Sequence, residues 1–243
     1  MSQKSEHDRI IDAYKKMDEQ IQQEQHFFAY RDSAHFFRLQ RRYWDTLSLL
    51  KRRGIHNIEK VRILDVGCGD GRMLREFLQW GAKPENLAGI ELRPEPVEYA
   101  LTLNPNLDIR CGSATDLPWP DDVFDLVCQH TVFTSILDQE IKKEIASEML
   151  RVVNDNGVIL WYDFWLNPTN PQTRGIRPGE IKQLFPGCSF EFHKITLAPP
   201  LARRVVPVSW GLAYGLERLT IFNSHYLVAI HPLIAAKSPK GDN

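Results

Sequence analysis

A short apolar run ends in three glycines spaced two apart: Ile63-Leu64-Asp65-Val66 leads into Gly67-Cys68-Gly69-Asp70-Gly71. Few folds accommodate this. The run from Val61 to Val66 reads as a short buried strand, and glycine, lacking a Cβ, lets the backbone turn sharply and come close to a ligand. Arg72 to Trp80 then predicts a helix ending at Gly81, so its N-terminus, with unpaired backbone N–H groups, faces the turn.

The same alternation continues along the chain. Strands are expected at Asn86 to Leu92, Leu107 to Cys111, Phe124 to His130 and Gly157 to Phe164, with helices at Glu95 to Leu103 and Asp138 to Val153. This pitch predicts an α/β fold with a mostly parallel, doubly wound sheet of seven strands. The tail departs from it. A Pro-rich connector (Asn167 to Pro178) precedes a short helix at Gly179 to Phe185. A strand follows at Ser189 to Leu197, then a helical insertion from Pro199 to Ile221, then a last strand at His225 to His231. At the other end, residues 5 to about 53 read as helical. Ile10, Tyr14, Met17 and Ile21 recur at helical spacing, and Phe27, Phe28, Phe36, Phe37, Leu39, Tyr43, Trp44, Leu47 and Leu50 form an amphipathic stretch closed by Gly54. The expected organisation is an N-terminal helical cap (1–56) on a core (57–243) whose helical insertion spans about 199–222.

Composition narrows the partners. The 243 residues carry a net charge of -1, which gives no electrostatic reason to expect a nucleic acid. No window approaches the ~20 apolar residues of a membrane span, and the polar N-terminus does not read as a signal peptide. Cys68, Cys111, Cys128 and Cys188 stand singly, without metal or disulfide spacing, so reduced thiols in the cytoplasm are expected, with no metal. The chain is expected to be a monomer or homodimer.

A dinucleotide site would want its third glycine at position 72, which is Arg72. The spacing here, Gly-x-Gly-x-Gly with Asp65 two residues before it, resembles motif I of the class I S-adenosylmethionine methyltransferases. Two further segments extend the resemblance. Gly89-Ile90-Glu91-Leu92 ends the second strand with an acid suited to vicinal ribose hydroxyls. Cys111-Gly112-Ser113-Ala114-Thr115-Asp116-Leu117-Pro118-Trp119-Pro120, followed by Phe124-Asp125-Leu126-Val127, looks like the family's segment before and on the fourth strand. The family usually has an acid at Ser113, so adenine recognition falls to the serine or to Asp116. The resemblance implies S-adenosylmethionine as cofactor, held by Asp65, Gly67, Cys68, Gly69, Gly71, Glu91, Leu92, Ser113, Ala114 and Gln129. The tail is also similar, to a lesser degree, to bacterial methyltransferases associated with surface-polysaccharide synthesis.

For methyl transfer the nucleophile must be aligned, and an oxygen nucleophile must lose a proton. With the last strand antiparallel beside the fifth, His130, Asp163 and His225 are expected on one rim, a carboxylate between two imidazoles. Gln129-His130-Thr131-Val132 lacks the Asn/Asp-Pro-Pro-Tyr/Phe pattern of many enzymes acting on amino groups, which favours an oxygen acceptor, a small molecule or a sugar. Nitrogen, protein or RNA methylation and a non-catalytic cofactor-binding module are the alternatives. Arg174, Arg177, Arg203 and Arg204 are expected to cluster and to meet an anionic acceptor. The N-terminal helices and the insertion are both expected to cover the cofactor edge.

Overall fold

The structure is a computed structural model that describes residues 6–24, 32–166, 170 and 172–233, with the backbone alone at 16–24. Its strands are β1 (Ile63–Val66), β2 (Leu87–Glu91), β3 (Asp108–Cys111), β4 (Phe124–His130), β5 (Val153–Phe164), β6 (Cys188–Leu197) and β7 (Asn223–Pro232). They form one sheet in the order β3-β2-β1-β4-β5-β7-β6. Strands β1 to β5 pair in parallel, and β7 is antiparallel to both β5 and β6. All four residues of β1 are buried, as expected for a strand with helices on both faces. The order reverses between β1 and β4, and the crevice beyond their carboxyl ends is where an open α/β sheet takes its ligand.

Both faces of the sheet are covered. One carries α5 (Gln139–Val152) and α6 (Pro178–Leu184), whose Ile145, Met149 and Ile181 meet Val66, Val127, Ile159 and Trp161 in one core. The other carries α2 (Ser33–Arg52), α3 (Arg72–Gln79) and α4 (Pro94–Leu103), whose Leu49, Leu74, Phe77 and Val97 pack in a second core with Ile63, Cys128, Leu160 and Tyr162. Leu49 is wholly buried, and its truncation to Ala is expected to cost about 2–5 kcal/mol. Helix α2 is therefore built into the core of the sheet.

The helical stretch expected from 5 to about 53 is two helices, α1 (Glu6–Glu24) and α2. Asp32 starts the second by accepting the Ala34 and His35 N–H groups at 2.9 and 3.0 Å, a short carboxylate replacing carbonyls that a continuous helix would supply. Phe27 and Phe28 lie outside the described residues, as do the side chains of Met17 and Ile21. The insertion is likewise not one helix. It comprises α7 (Pro199–Val205), α8 (Trp210–Arg218) and a single turn at Thr220–Phe222. Pro207 lacks an N–H and disfavours helix before it, and Ser209 restarts the chain by capping Leu212 N–H at 3.2 Å. Here α7 and α8 enclose a third small core with α2, made of Ala34, Phe37, Leu197, Ala202, Val206 and Ala213.

Candidate cofactor and catalytic site

Gly67, Gly69 and Gly71 all have left-handed backbones, with φ of 69°, 55° and 75°. The turn is pinned by the Gly67 and Cys68 N–H groups, which donate to the Ile90 carbonyl at 2.8 and 3.0 Å. A Cβ on Gly67 would stand 2.4 Å from Val132 Cγ2, whereas one on Gly69 would meet nothing within 4 Å. Gly69 faces a cavity with an empty volume of about 860 Å³, partly open to solvent. The turn thus has a packed side and an open side.

Glu91, at the end of β2, lines that cavity. Its carboxylate accepts the Gly69 N–H at 3.1 Å and the Arg93 N–H at 3.1 Å, and Arg93 Nε stands 3.4 Å away. Leu92, Gly112, Ser113 and Ala114 continue the wall. Ser113 Oγ lies 2.8 Å from Thr115 Oγ1 and 3.3 Å from His7 Nε2. Asp116 is exposed and does not line the cavity. Cys68 turns its thiol into the core, where it fills the space a Gly89 side chain would need. Asp65 is buried beneath the turn, and Gly71 caps α3. Gln129 is wholly buried and accepts the Val132 N–H at 3.1 Å, shaping the loop after β4.

The opposite wall comes from α1, through His7, Ile10 and Tyr14. Three side chains moor this helix. Glu6 accepts the Leu137 N–H at 2.6 Å, Arg9 donates to the Ser135 carbonyl at 2.6 Å, and Tyr14 Oη lies 2.9 Å from Ser135 Oγ. The Tyr14 ring also lies under the Arg93 guanidinium, 4.6 Å from its centroid. Sequence reasoning missed these residues as cavity walls; Ile10 and Tyr14 showed only as an apolar helical face. The insertion, also expected as a cover, contributes nothing to the cavity wall and instead buttresses α2.

The expected rim does not form as a carboxylate between two imidazoles. Successive strand residues point to opposite faces, and Tyr162, not Asp163, shares a face with both histidines. His130 pairs in register with Tyr162, and His225 stacks on Tyr162 at 4.8 Å between ring centroids. Asp163 points to the other face, where it accepts the Thr134 N–H at 3.2 Å and the Thr134 hydroxyl. Burial pushes the Asp163 carboxyl up to about 7. Burial, with Arg38 and Arg42 nearby, pushes His225 down to about 3. Burial also holds His130 below its ordinary range, against the pull of Asp65, whose Oδ1 lies 3.4 Å from His130 Nδ1. His130 lines the cavity, and its buried Nε2 has no hydrogen-bond partner among the described residues.

Nor do the four arginines cluster. Arg174 pairs with Glu180, and its N–H donates to the Thr134 carbonyl at 2.8 Å; Arg177 stands at the start of α6. Arg203 and Arg204 are exposed on α7, which packs on α2. Two arginines that sequence reasoning did not single out, Arg38 and Arg42, lie beside His225. The Arg42 guanidinium sits 5.1 Å from the Tyr162 centroid, and the Nε atoms of Arg38 and Arg42 are buried without a partner among the described residues.

Comparison with known proteins gives a consistent result. Residues 64–161 match the family described as methyltransferase domain. A probable S-adenosylmethionine-dependent methyltransferase of Mycolicibacterium smegmatis is 27% identical over 63% of this chain and 63% of its own length. An uncharacterized methyltransferase of Schizosaccharomyces pombe is 26% identical over 57% of this chain and 58% of its own. The chain thus spans less than two thirds of these relatives. Others of comparable identity are named for different acceptor atoms: ajmaline N-methyltransferase of Rauvolfia serpentina (28%, over 50% of this chain and 42% of its own) and a ubiquinone biosynthesis O-methyltransferase of Azorhizobium caulinodans (28%, over 44% and 42%). A solved S-adenosylmethionine-dependent methyltransferase from Methanosarcina mazei shares the fold, with a TM-score of 0.55, 18% identity, and coverage of 74% of this chain and 97% of that one. The [4+2]-cyclase SpnF shares it equally, with a TM-score of 0.55, 18% identity, and coverage of 78% and 80%.

Proposed function

We propose that this chain, whose residues 64–161 match a methyltransferase domain family, is a class I S-adenosylmethionine-dependent methyltransferase that methylates a hydroxyl oxygen of a small molecule or sugar carrying an anionic group. The cavity residues fit the cofactor. Gly69 leaves open space where a side chain would intrude, and Glu91 offers a carboxylate suited to two vicinal hydroxyls. Ser113 and His7 supply polar atoms beside the apolar Leu92 and Ile136. When bound, S-adenosylmethionine supplies an electrophilic methyl on a sulfonium.

The observation that carries the oxygen-acceptor reading is His130. With Nδ1–H donated to Asp65, the lone pair is on Nε2, the buried atom that lacks a partner. Burial keeps the ring neutral near pH 7, the state a general base requires. As His130 takes the acceptor proton it becomes a cation, and Asp65 beneath it stabilises that charge. Arg38 and Arg42, whose buried Nε atoms have no partner among the described residues, favour a carboxylate or phosphate on the acceptor.

His130→Ala is expected to lower turnover by about 100-fold or more and to remove the acidic limb of the rate profile. Calorimetric affinity for S-adenosylhomocysteine should stay near wild type. Near-normal turnover of the variant on its true acceptor would remove the case for base catalysis, and with it the preference for oxygen.

A further inference from the structure

The segment from Val208 to Phe222 leaves an unusual amount of apolar surface uncovered. Val208 is 81% exposed and Ile221 76%, and Trp210, Leu212, Tyr214, Leu219 and Phe222 are exposed with them. The patch continues onto α2, where exposed Phe36 lies 6.0 Å from the Trp210 ring. Contiguous exposed apolar surface of this kind marks an interaction site.

The charges around it are one-sided. Arg203, Arg204 and Arg218 are exposed, with no ion pair among the described residues. The acids of α2 and of the insertion, Asp45 and Glu217, are both turned onto Arg41, at 3.3 and 2.6 Å. Glu217 is moreover buried. A chain of net charge -1 thus presents, on this face, an apolar ridge bordered by the exposed Arg203, Arg204 and Arg218.

We propose that this ridge docks on the anionic surface of a lipid bilayer, with the side chains of Val208, Leu212 and Ile221 entering the interface and the arginines meeting lipid phosphates. Tryptophan and tyrosine suit that depth, because their rings are apolar at one end and polar at the other. No helix among the described residues is long and apolar enough to cross a membrane, so the attachment is peripheral. A second copy of this chain fits less well, because a two-fold contact would set this basic border against itself. Phe36 and Phe37, which touch Trp210, are on the same helix as Arg38 and Arg42, so the docked face shares α2 with the arginines proposed to meet the acceptor.

Flotation of the full chain with lipid vesicles tests this independently of any methyl transfer. Wild type should float with vesicles containing phosphatidylglycerol, stay behind with phosphatidylcholine alone, and detach as salt is raised. Ile221→Asp should weaken partition by about tenfold or more. The milder Arg203→Gln/Arg204→Gln pair should weaken it by about fivefold per arginine. Unfolding temperature and S-adenosylhomocysteine affinity serve as controls that each variant folds. Equal partition onto neutral and anionic vesicles, or onto neither, overturns the proposal. So does a wild-type dimer in sedimentation velocity that Ile221→Asp dissociates.

Discussion

Glu91 has two partners in the structure and is proposed to have a third. Its carboxylate already holds the Gly69 N–H and the Arg93 N–H, so it fixes the open side of the glycine turn. The ribose hydroxyls are the proposed addition. Glu91→Ala is expected to weaken S-adenosylhomocysteine binding by about 1.5–3 kcal/mol, the worth of charge-assisted hydrogen bonds, while Glu91→Gln keeps an acceptor and loses less. Calorimetry on folded variants decides the matter; unchanged affinity in the alanine variant removes the ribose role. The glycines and Glu91 were legible because their meaning lies in local spacing. Asp163 was misread because reaching the right end of a strand does not fix which face a side chain takes. One residue's shift exchanges the faces, and Tyr162 holds the place expected for the acid. His7 was illegible for another reason: its partner Ser113 is more than a hundred residues away, and no local pattern records such a contact.

Among its described side chains, helix α1 is tied to the segment 135–138 by polar bonds from Glu6, Arg9 and Tyr14. Glu6 shows how firmly: burial pulls its pKa up, yet Arg9 and the Leu137 N–H outweigh this and leave it lowered. Cutting that mooring should loosen the wall without unfolding the sheet. Glu6→Ala/Arg9→Ala is expected to speed amide exchange in α1, leave β1 and β4 protected, and weaken S-adenosylhomocysteine binding. Unchanged exchange in α1 would mean that the remaining contacts of His7, Ile10 and Tyr14 hold the helix without this mooring. The existence of the strands was readable from their apolar runs, and their parallel order from their alternation with helices. The breaks within the helical ends were not foreseen, although Asp32 and Pro207-Val208-Ser209 carry the signals for them. Apolar periodicity runs on across a cap, and here it outweighed the capping residues.

At the scale of the whole molecule, burial of histidine sets the response to acid. Burial lowers the pKa of His35 to about 4 and of His225 to about 3, and also lowers His130 and His231. These four rings stay neutral in the folded chain at pH values where the unfolded chain protonates them, so each withdraws stability as pH falls below about 6.5. Asp45 and Asp163 act in the opposite sense. Burial raises them to about 6 and about 7, so the folded chain keeps protons that the unfolded chain releases, and each withdraws stability as pH rises from about 4 toward those values. His35 and His225, held furthest below their ordinary value, offset the two acids, and His130 and His231 add to the loss on acidification. The urea midpoint should therefore fall between pH 7 and pH 5, and fall more steeply in Asp163→Asn; a midpoint that rises on acidification would show that the rings are not held neutral. The sequence carried the histidines but not their burial, which for His130 and His225 follows from Tyr162, a strand neighbour distant from both in the chain. The wall that α1 builds has a consequence in time as well as in space. Because the cavity is also partly open to solvent, loosening the hydrogen bonds to 135–138 is expected to shorten the residence of whatever lies against His7, Ile10 and Tyr14, read as faster dissociation of S-adenosylhomocysteine.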